Sequence, residues 1–278
     1  MDWQMKYRII FIGIACVLAG CGGDKKTRIN LYNPVATEYG LQLLGDSYLD
    51  FESPDVTPPY EAYIPTFLNH LASQYRGADV VYKDRSVSGS KLEYILDDQY
   101  RAARSAAVNG GYEVQTLIIN GGANDLREPC ATDNIVNAEG DYVYNEPCEG
   151  ALDAVVVKIR NFFVDLVDEQ GDVATYGAPP KIVWLGRYNL PATVTHYSIV
   201  NRVNERIAEI CEEDYGQYCV YVDTRGAWSV EDTDLYLLSS EQDPYASDGP
   251  IHVNEMGGEI IANRLWEVIS NPTNEIFF

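Results

Sequence analysis

The chain has 278 residues, of which 46% are hydrophobic and 12% are aromatic, and this is enough for one large core in a single domain. Its formal net charge is −22 and its isoelectric point is about 4.3, which argues against nucleic acid as a partner because phosphate groups would be repelled. The mean hydropathy of −0.21 indicates a soluble body, and the even spread of acidic residues is typical of a solvated surface.

The N-terminus has the pattern of a secretory signal peptide. Lys6 and Arg8 precede an apolar run over residues 9–18, which is shorter than the roughly 20 residues that a membrane-spanning helix needs. The sequence Leu-Ala-Gly-Cys that ends at Cys21 resembles the lipobox of bacterial lipoproteins. This resemblance implies cleavage before Cys21 and diacylation of its thiol, and the glycine that follows implies transfer to the outer membrane. An uncleaved signal anchor and ordinary secretion are the alternatives.

The sequence therefore predicts three segments: a signal peptide at 1–20, a polar tether at 21–37 and one folded domain at 38–278. We expect the protein to be anchored in the bacterial cell envelope by its N-terminal lipid and to face the periplasm or the exterior.

Strand and helix patterns alternate through the domain. The strand candidates are short and apolar, and they are Leu41–Leu44, Asp79–Tyr82, Gln115–Asn120, Lys181–Leu185 and Cys219–Val222. The helix candidates lie between and after them, at about 60–75, 90–107, 150–169, 197–213 and 255–269. Repeated β-α-β alternation predicts an α/β fold, a three-layer α/β/α sandwich with a five-stranded parallel sheet of the flavodoxin-like type.

Four cysteines remain beyond the signal peptide and the lipidation candidate. They are Cys130, Cys148, Cys211 and Cys219, and an even number in an oxidising compartment predicts two disulfides. Proximity in the sequence favours 130 with 148 and 211 with 219, although four cysteines allow three pairings. The rival is a zinc site, but the chain has no Cys-x-x-Cys pair and no histidine near these residues, so we expect no metal.

Candidate site residues follow three of the predicted strands and precede the last helix. Ser47 follows the first strand, Gly89 the second and Asn124 the third, while Asp248 and His252 come before the last helix. Because ligands bind outside the carboxyl ends of parallel strands, we expect these residues to share one edge of the sheet. A serine that meets an imidazole there indicates nucleophilic catalysis.

This order of motifs resembles the SGNH (GDSL-type) hydrolase family over essentially the whole mature domain. The resemblance implies that Ser47 is the nucleophile, His252 the general base and Asp248 the group that orients the imidazole. It also implies an oxyanion hole made by the backbone N–H groups of Ser47 and Gly89 and the side-chain amide of Asn124. The implied substrate is a carboxylic ester of a lipid, carbohydrate or small-molecule alcohol, and no cofactor is required.

The acid is the least regular part of this pattern. The family spaces its acid and base as D-x-x-H, whereas Asp248 stands one residue farther from the histidine. Asp243 is a possible substitute for Asp248. The other alternative is a Ser-His dyad in which a backbone carbonyl orients the imidazole. His196 is a rival base. Asp46 and Asp125 also follow strands, and we expect them to fix the two turns by hydrogen bonds to the backbone.

Two alternative functions remain at this point. An envelope O-acyltransferase would use the same nucleophile with a sugar hydroxyl as acceptor, and a non-catalytic lipoprotein would use the fold to bind an envelope polymer. The sequence does not indicate an oligomeric state.

Overall fold

A computed structural model describes most of the chain from residue 39 onward. The described residues are 39–49, 63–76, 80–130, 135–136, 142–143, 146–188, 197–227, 233–236, 252–274 and 276. The predicted signal peptide and tether, including Cys21, lie outside these residues.

Seven strands are present in the described part of the chain. They are β1 (Tyr39–Leu44), β2 (Val80–Asp84), β3 (Glu113–Ile119), β4 (Ile135–Val136), β5 (Tyr142–Val143), β6 (Lys181–Leu185) and β7 (Cys219–Val222). Five of them form one parallel sheet in the order β2-β1-β3-β6-β7, and β4 pairs with β5 as a separate antiparallel ladder.

Helices connect these strands. The α-helices are α1 (Tyr63–Arg76), α2 (Tyr100–Gly110), α3 (Ala123–Leu126), α4 (Glu146–Leu166), α5 (Asp172–Tyr176), α6 (Tyr197–Glu209) and α7 (Glu255–Ile269). Two π-helical segments, Tyr94–Gln99 and Ile210–Asp214, adjoin α2 and α6, and 3₁₀ turns lie at Thr233–Leu235 and Pro272–Asn274. None of the helices in these residues is long and apolar enough to cross a bilayer.

Two hydrophobic cores lie on opposite faces of the sheet. Successive side chains of a strand point to opposite faces, and β1 shows this alternation. Leu41 and Leu43 belong to the core that contains buried residues of α1 and α7, whereas Leu44 belongs to the core that contains those of α2, α4 and α6. The structure is therefore the predicted three-layer α/β/α sandwich with a five-stranded parallel sheet.

The five main strands and five long helices match the elements predicted from the sequence. The helix expected at 90–107 has a π-helical first half, and the short elements α3, α5, β4 and β5 were not predicted because they are too brief to show a periodic pattern. The favoured cysteine pairing is confirmed, with S–S distances of 2.05 Å for Cys130–Cys148 and 2.00 Å for Cys211–Cys219.

The ends of β1, β2 and β3 meet at one side of the sheet, which we call the carboxyl edge. Leu43 of β1 stands in register with Asp84 of β2, and Leu44 stands in register with Ile119 of β3. Because all three strands run in the same direction, the loops that follow them leave the sheet side by side. This arrangement brings together residues that are about 80 positions apart in the chain.

Candidate active site

Ser47 lies in a tight turn directly after β1. The Leu49 N–H donates to the Asp46 carbonyl at 3.1 Å, and the Tyr48 N–H donates to Asp46 Oδ1 at 2.9 Å, so Asp46 holds the turn from inside. Ser47 is 9% exposed and Asp46 is fully buried. The prediction that Asp46 fixes this turn through a backbone hydrogen bond is confirmed.

His252 directly precedes α7 and is 2% exposed. An isolated antiparallel bridge joins its neighbour Val253 to Tyr236. Asn254 caps α7, because its side chain accepts a hydrogen bond from the Gly257 N–H at 3.1 Å. The backbone that follows His252 is therefore fixed by two contacts.

The structure brings the side chains of Ser47 and His252 together. Ser47 Oγ lies 2.9 Å from His252 Nε2, although the two residues are 205 positions apart. This distance is within ordinary hydrogen-bond range, and it allows direct proton transfer between the hydroxyl and the imidazole.

Gly89 lies at the turn after β2 and is exposed. Its φ of +79° falls in the left-handed region that favours glycine, and the turn is closed by the Ser90 N–H donating to the Val87 carbonyl at 3.1 Å. The Val87 N–H in turn donates to the Gly45 carbonyl at 3.0 Å. The β2 loop is thus attached directly to the residue that precedes the Ser47 turn, residues 46–49.

Asn124 lies at the start of α3, after β3. Its amide nitrogen is 3.0 Å from the Ser90 carbonyl oxygen and 3.2 Å from Asp46 Oδ2. One side chain therefore connects the loops that follow β1, β2 and β3. The structure brings Asn124 to the same edge as Ser47, as the sequence predicts, with its N–H groups already bonded within the protein.

Asp125 also performs the backbone role predicted for it. Its Oδ2 accepts a hydrogen bond from the Leu92 N–H at 2.8 Å, and its Oδ1 pairs with Lys158 of α4 at 3.0 Å. These contacts attach α3 both to the segment after β2 and to α4.

Asp46 is a buried carboxyl beside Ser47. Burial raises the pKa of its carboxyl above the ordinary value, and the positive charge of Arg187, the Tyr48 N–H and the nearby His252 each oppose this rise. Arg187 follows β6, and its guanidinium lies over the Tyr48 ring at 5.0 Å from the ring centroid. The carboxylate is thus offset by a cation that sequence reasoning did not single out.

Tyr48, which follows Ser47, is a packing residue. It is 4% exposed, and its ring stacks on Tyr188 with centroids 4.4 Å apart. Its hydroxyl accepts a hydrogen bond from the Tyr188 N–H. This pair attaches the Ser47 turn to the segment after β6.

Three of the residues considered in the sequence analysis lie outside the described residues. They are Asp248, Asp243 and His196, and their roles stay predictions. His70, the third histidine, is exposed on α1 beside Gln74.

Gln99 was missed by sequence reasoning, although its side chain hydrogen-bonds the peptide groups of Gly45 next to the Ser47 turn. No local pattern marks such a residue, because the partners are 54 positions apart.

Comparison with solved structures finds this fold in bacterial and metagenomic proteins. A lipase from a goat rumen metagenome is similar with a TM-score of 0.57 and 13% identity, over 83% of this chain and 97% of that one. A member of the lipolytic G-D-S-L family from Veillonella parvula has a TM-score of 0.51 and 13% identity, over 84% and 99%. A GDSL-like lipase from Parabacteroides merdae has a TM-score of 0.50 and 16% identity, over 83% and 94%. At these identities the likeness shows the fold.

No curated protein sequence matches the chain significantly. The model of the GDSL-like lipase/acylhydrolase family matches residues 43–260, which is well over half of the chain and includes Ser47, Gly89, Asn124 and His252. The chain therefore belongs to the GDSL-like lipase/acylhydrolase family and is a carboxylic ester hydrolase of the serine type.

Proposed function

We propose that the protein hydrolyses carboxylic esters of lipid, carbohydrate or small-molecule alcohols through an acyl-enzyme formed on Ser47. The observation that carries this proposal is the 2.9 Å contact between Ser47 Oγ and His252 Nε2. A serine hydroxyl is a weak nucleophile until a neighbouring base takes its proton. Neutral imidazole suits this task near neutral pH.

In the first half-reaction His252 Nε2 takes the hydroxyl proton while Ser47 Oγ bonds to the ester carbonyl carbon. The tetrahedral oxyanion then collapses, the bond to the alkoxy oxygen breaks, and the imidazolium gives its proton to the departing alcohol. Water attacks the acyl-enzyme by the same proton path and releases the acid. In this proposal Asp248 orients the imidazole, with Asp243 or a backbone carbonyl as the alternatives.

The oxyanion of this mechanism would be bound by the backbone N–H groups of Ser47 and Gly89 and by the Asn124 amide. In the resting structure the amide nitrogen of Asn124 is 3.0 Å from the Ser90 carbonyl and 3.2 Å from Asp46 Oδ2. We assign the longer of these bonds as the one that is shared with the oxyanion. The shorter bond keeps the side chain in place during the reaction.

Ionised Asp46 would also favour the intermediate. Its negative charge and a protonated His252 attract each other, which is why His252 opposes the rise in the pKa of the Asp46 carboxyl. The imidazolium forms only after Ser47 has lost its proton. An anion near it therefore stabilises the intermediate more than the resting state.

We also propose that residues 1–20 are a signal peptide, that residues 21–37 form a tether and that the enzyme is anchored by lipid on Cys21 in the bacterial envelope, in the outer membrane. The lipobox-like sequence before Cys21 supports this proposal. The disulfides Cys130–Cys148 and Cys211–Cys219 support export, because such bonds persist in oxidising compartments.

Replacing Ser47 with alanine should abolish ester hydrolysis and covalent labelling. We expect kcat for p-nitrophenyl acetate to fall by at least about 10⁴-fold, because the nucleophile is removed. The second measurement is labelling by a fluorophosphonate, which Ser47→Ala should lose and the exposed-serine control Ser73→Ala should keep. A folded wild-type protein that neither hydrolyses the ester nor takes the label would contradict the proposed function.

Replacing Asn124 with alanine should lower kcat by about 10²–10³-fold, the usual effect of removing one oxyanion donor. The control is Asn161→Ala, which truncates an exposed asparagine on α4 and should leave kcat unchanged. Both are measured on folded protein, as checked by circular dichroism. A loss of less than about threefold in Asn124→Ala would remove this residue from the oxyanion hole.

Replacing Asp46 with asparagine should change how stability depends on pH. Because the folded-state pKa of this carboxyl is raised, its favourable contribution is complete below the ordinary value of about 3.9 and is lost as pH rises through the folded-state pKa. Asp46→Asn removes that loss. The difference in the free energy of unfolding, variant minus wild type, should therefore increase between about pH 4 and pH 7.

Urea denaturation at several pH values measures this difference. Asp153→Asn, at an exposed position on α4, is the charge-matched control and should show a smaller trend. A difference that stays flat or falls as the pH rises would be inconsistent with a raised pKa at Asp46.

Replacing Cys21 with serine should abolish lipid attachment in bacterial cells. We expect an alkyne-tagged fatty acid to label the wild type and the Cys16→Ser control but not Cys21→Ser, because only residue 21 would carry the acyl groups. In fractionated cells the labelled protein should be in the outer membrane. Label retained on Cys21→Ser, or absent from the wild type, would refute the anchor.

A further inference from the structure

Gln99 is a buried glutamine whose side chain serves another part of the chain. It is 4% exposed, and its Oε1 accepts a hydrogen bond from the Gly45 N–H at 2.7 Å. Its Nε2 donates to the Gly45 carbonyl at 2.9 Å, and that nitrogen is also 3.4 Å from Ser90 Oγ. One amide thus pairs with both backbone polar groups of a single residue.

Gly45 is the residue at which the chain leaves β1 and the Ser47 turn begins. It is buried, and a buried backbone N–H or C=O must find a partner. The Gly45 carbonyl also accepts from the Val87 N–H, but the N–H of Gly45 is bonded to Gln99. The Gln99 amide therefore supplies the hydrogen-bond partner that the Gly45 N–H needs at the end of β1. Gly45 lies one residue before Asp46 and two before Ser47.

The local helix geometry places this side chain. Gln99 is the last residue of the π-helical segment Tyr94–Gln99, which runs directly into α2. A π-helical turn is wider than an α-helical turn and accommodates one extra residue, so it changes the direction in which side chains leave the helix. Ile95 and Gln99, both buried, lie on the inner face of this segment.

The amide also belongs to a closed set of hydrogen bonds at the carboxyl edge. Gln99 binds Gly45 and Ser90, the Ser90 carbonyl accepts from Asn124, and Asn124 donates to Asp46. Asp46 is covalently joined to Gly45, which closes the ring. The three loops that carry the nucleophile and the proposed oxyanion donors are therefore held in one network through this side chain.

We infer that Gln99 is a positioning residue that sets Ser47 relative to the oxyanion donors at Gly89 and Asn124. This inference rests on the proposed function, since it concerns the same site. A displacement of about 1 Å in a reacting group can cost about 100-fold in rate. Loss of the amide should therefore act on kcat, while substrate binding should change little because the Gln99 side chain is buried.

The first experiment compares two glutamines that bind backbone groups at the two ends of β1. Gln115 Oε1 accepts the Gly40 N–H at 2.6 Å at the opposite end of β1, far from the proposed site along the strand. In Gln99→Leu we expect kcat for p-nitrophenyl acetate to fall about 10- to 100-fold with KM within about threefold of wild type. In Gln115→Leu we expect kcat to stay within about twofold, although this variant also loses a side-chain hydrogen bond to the backbone of β1.

The second experiment uses Gln99→Glu, which keeps the shape of the side chain. A neutral carboxylic acid has one acceptor and one O–H donor, so it can reproduce both bonds to Gly45, whereas the carboxylate can only accept. Burial raises the pKa of such a carboxyl. The ratio of variant to wild-type kcat should therefore rise as the pH is lowered, and a residue that only fills space would give a constant ratio.

The outcomes separate the two proposals. Labelling of the wild type by a fluorophosphonate establishes the nucleophile independently, and its failure overturns the proposed function and this inference together. If the wild type is active, the inference is overturned when Gln99→Leu and Gln115→Leu lose activity equally, or when the Gln99→Glu ratio does not change with pH. If Gln99→Leu does not fold, the pH series of Gln99→Glu decides alone.

Discussion

The parallel pairing of β1 with both β2 and β3 is the constraint on which the site depends. Because β1 lies between its two partners and all three run in the same direction, their loops must emerge side by side. Ser47, Gly89 and Asn124 come from these three loops, so the sheet itself brings them to one edge. The sheet therefore sets the approximate positions, and hydrogen bonds between the loops set the final ones.

Those hydrogen bonds form a buried polar network, and one of its groups, the Asp46 carboxyl, is unfavourable to bury in its charged form. Asp46 is fully buried, and its carboxylate is offset by the Tyr48 N–H, by the Asn124 amide and by the nearby charge of Arg187. A buried network that is fully paired makes a site rigid, whereas the loss of one partner leaves the others desolvated and unpaired. Substitutions within it should therefore be strongly non-additive.

Much of this fold, and the candidate residues of the site, could be predicted from the sequence. Short apolar runs identified the five strands of the sheet, and Ser47 and Asn124 stand out because each follows one of them. Gln99 could not be found in this way, since its role depends on a π-helical turn and on partners 54 residues away. Arg187 was missed for the same reason, because its importance comes from a buried acid on another loop. Local pattern shows where a side chain leaves the sheet, but not which distant peptide group it binds.

The turn that carries Ser47 is held from both faces of the sheet, because Tyr48 and Leu49 of that turn pack in the same core as Val253 while Gln99 binds Gly45 from the other face. Gln99 belongs to the π-helical segment that leads into α2, and Ile95 of that segment packs in the same core as buried residues of α2 and α4. His252 precedes α7, which packs with α1 on the other face, and its backbone is fixed by the Val253–Tyr236 bridge and by the Asn254 cap. The Ser47–His252 hydrogen bond therefore depends on both layers. If the support from Gln99 is lost, the Ser47 turn can shift while α7 keeps its contacts with α1, which is why we expect kcat to respond.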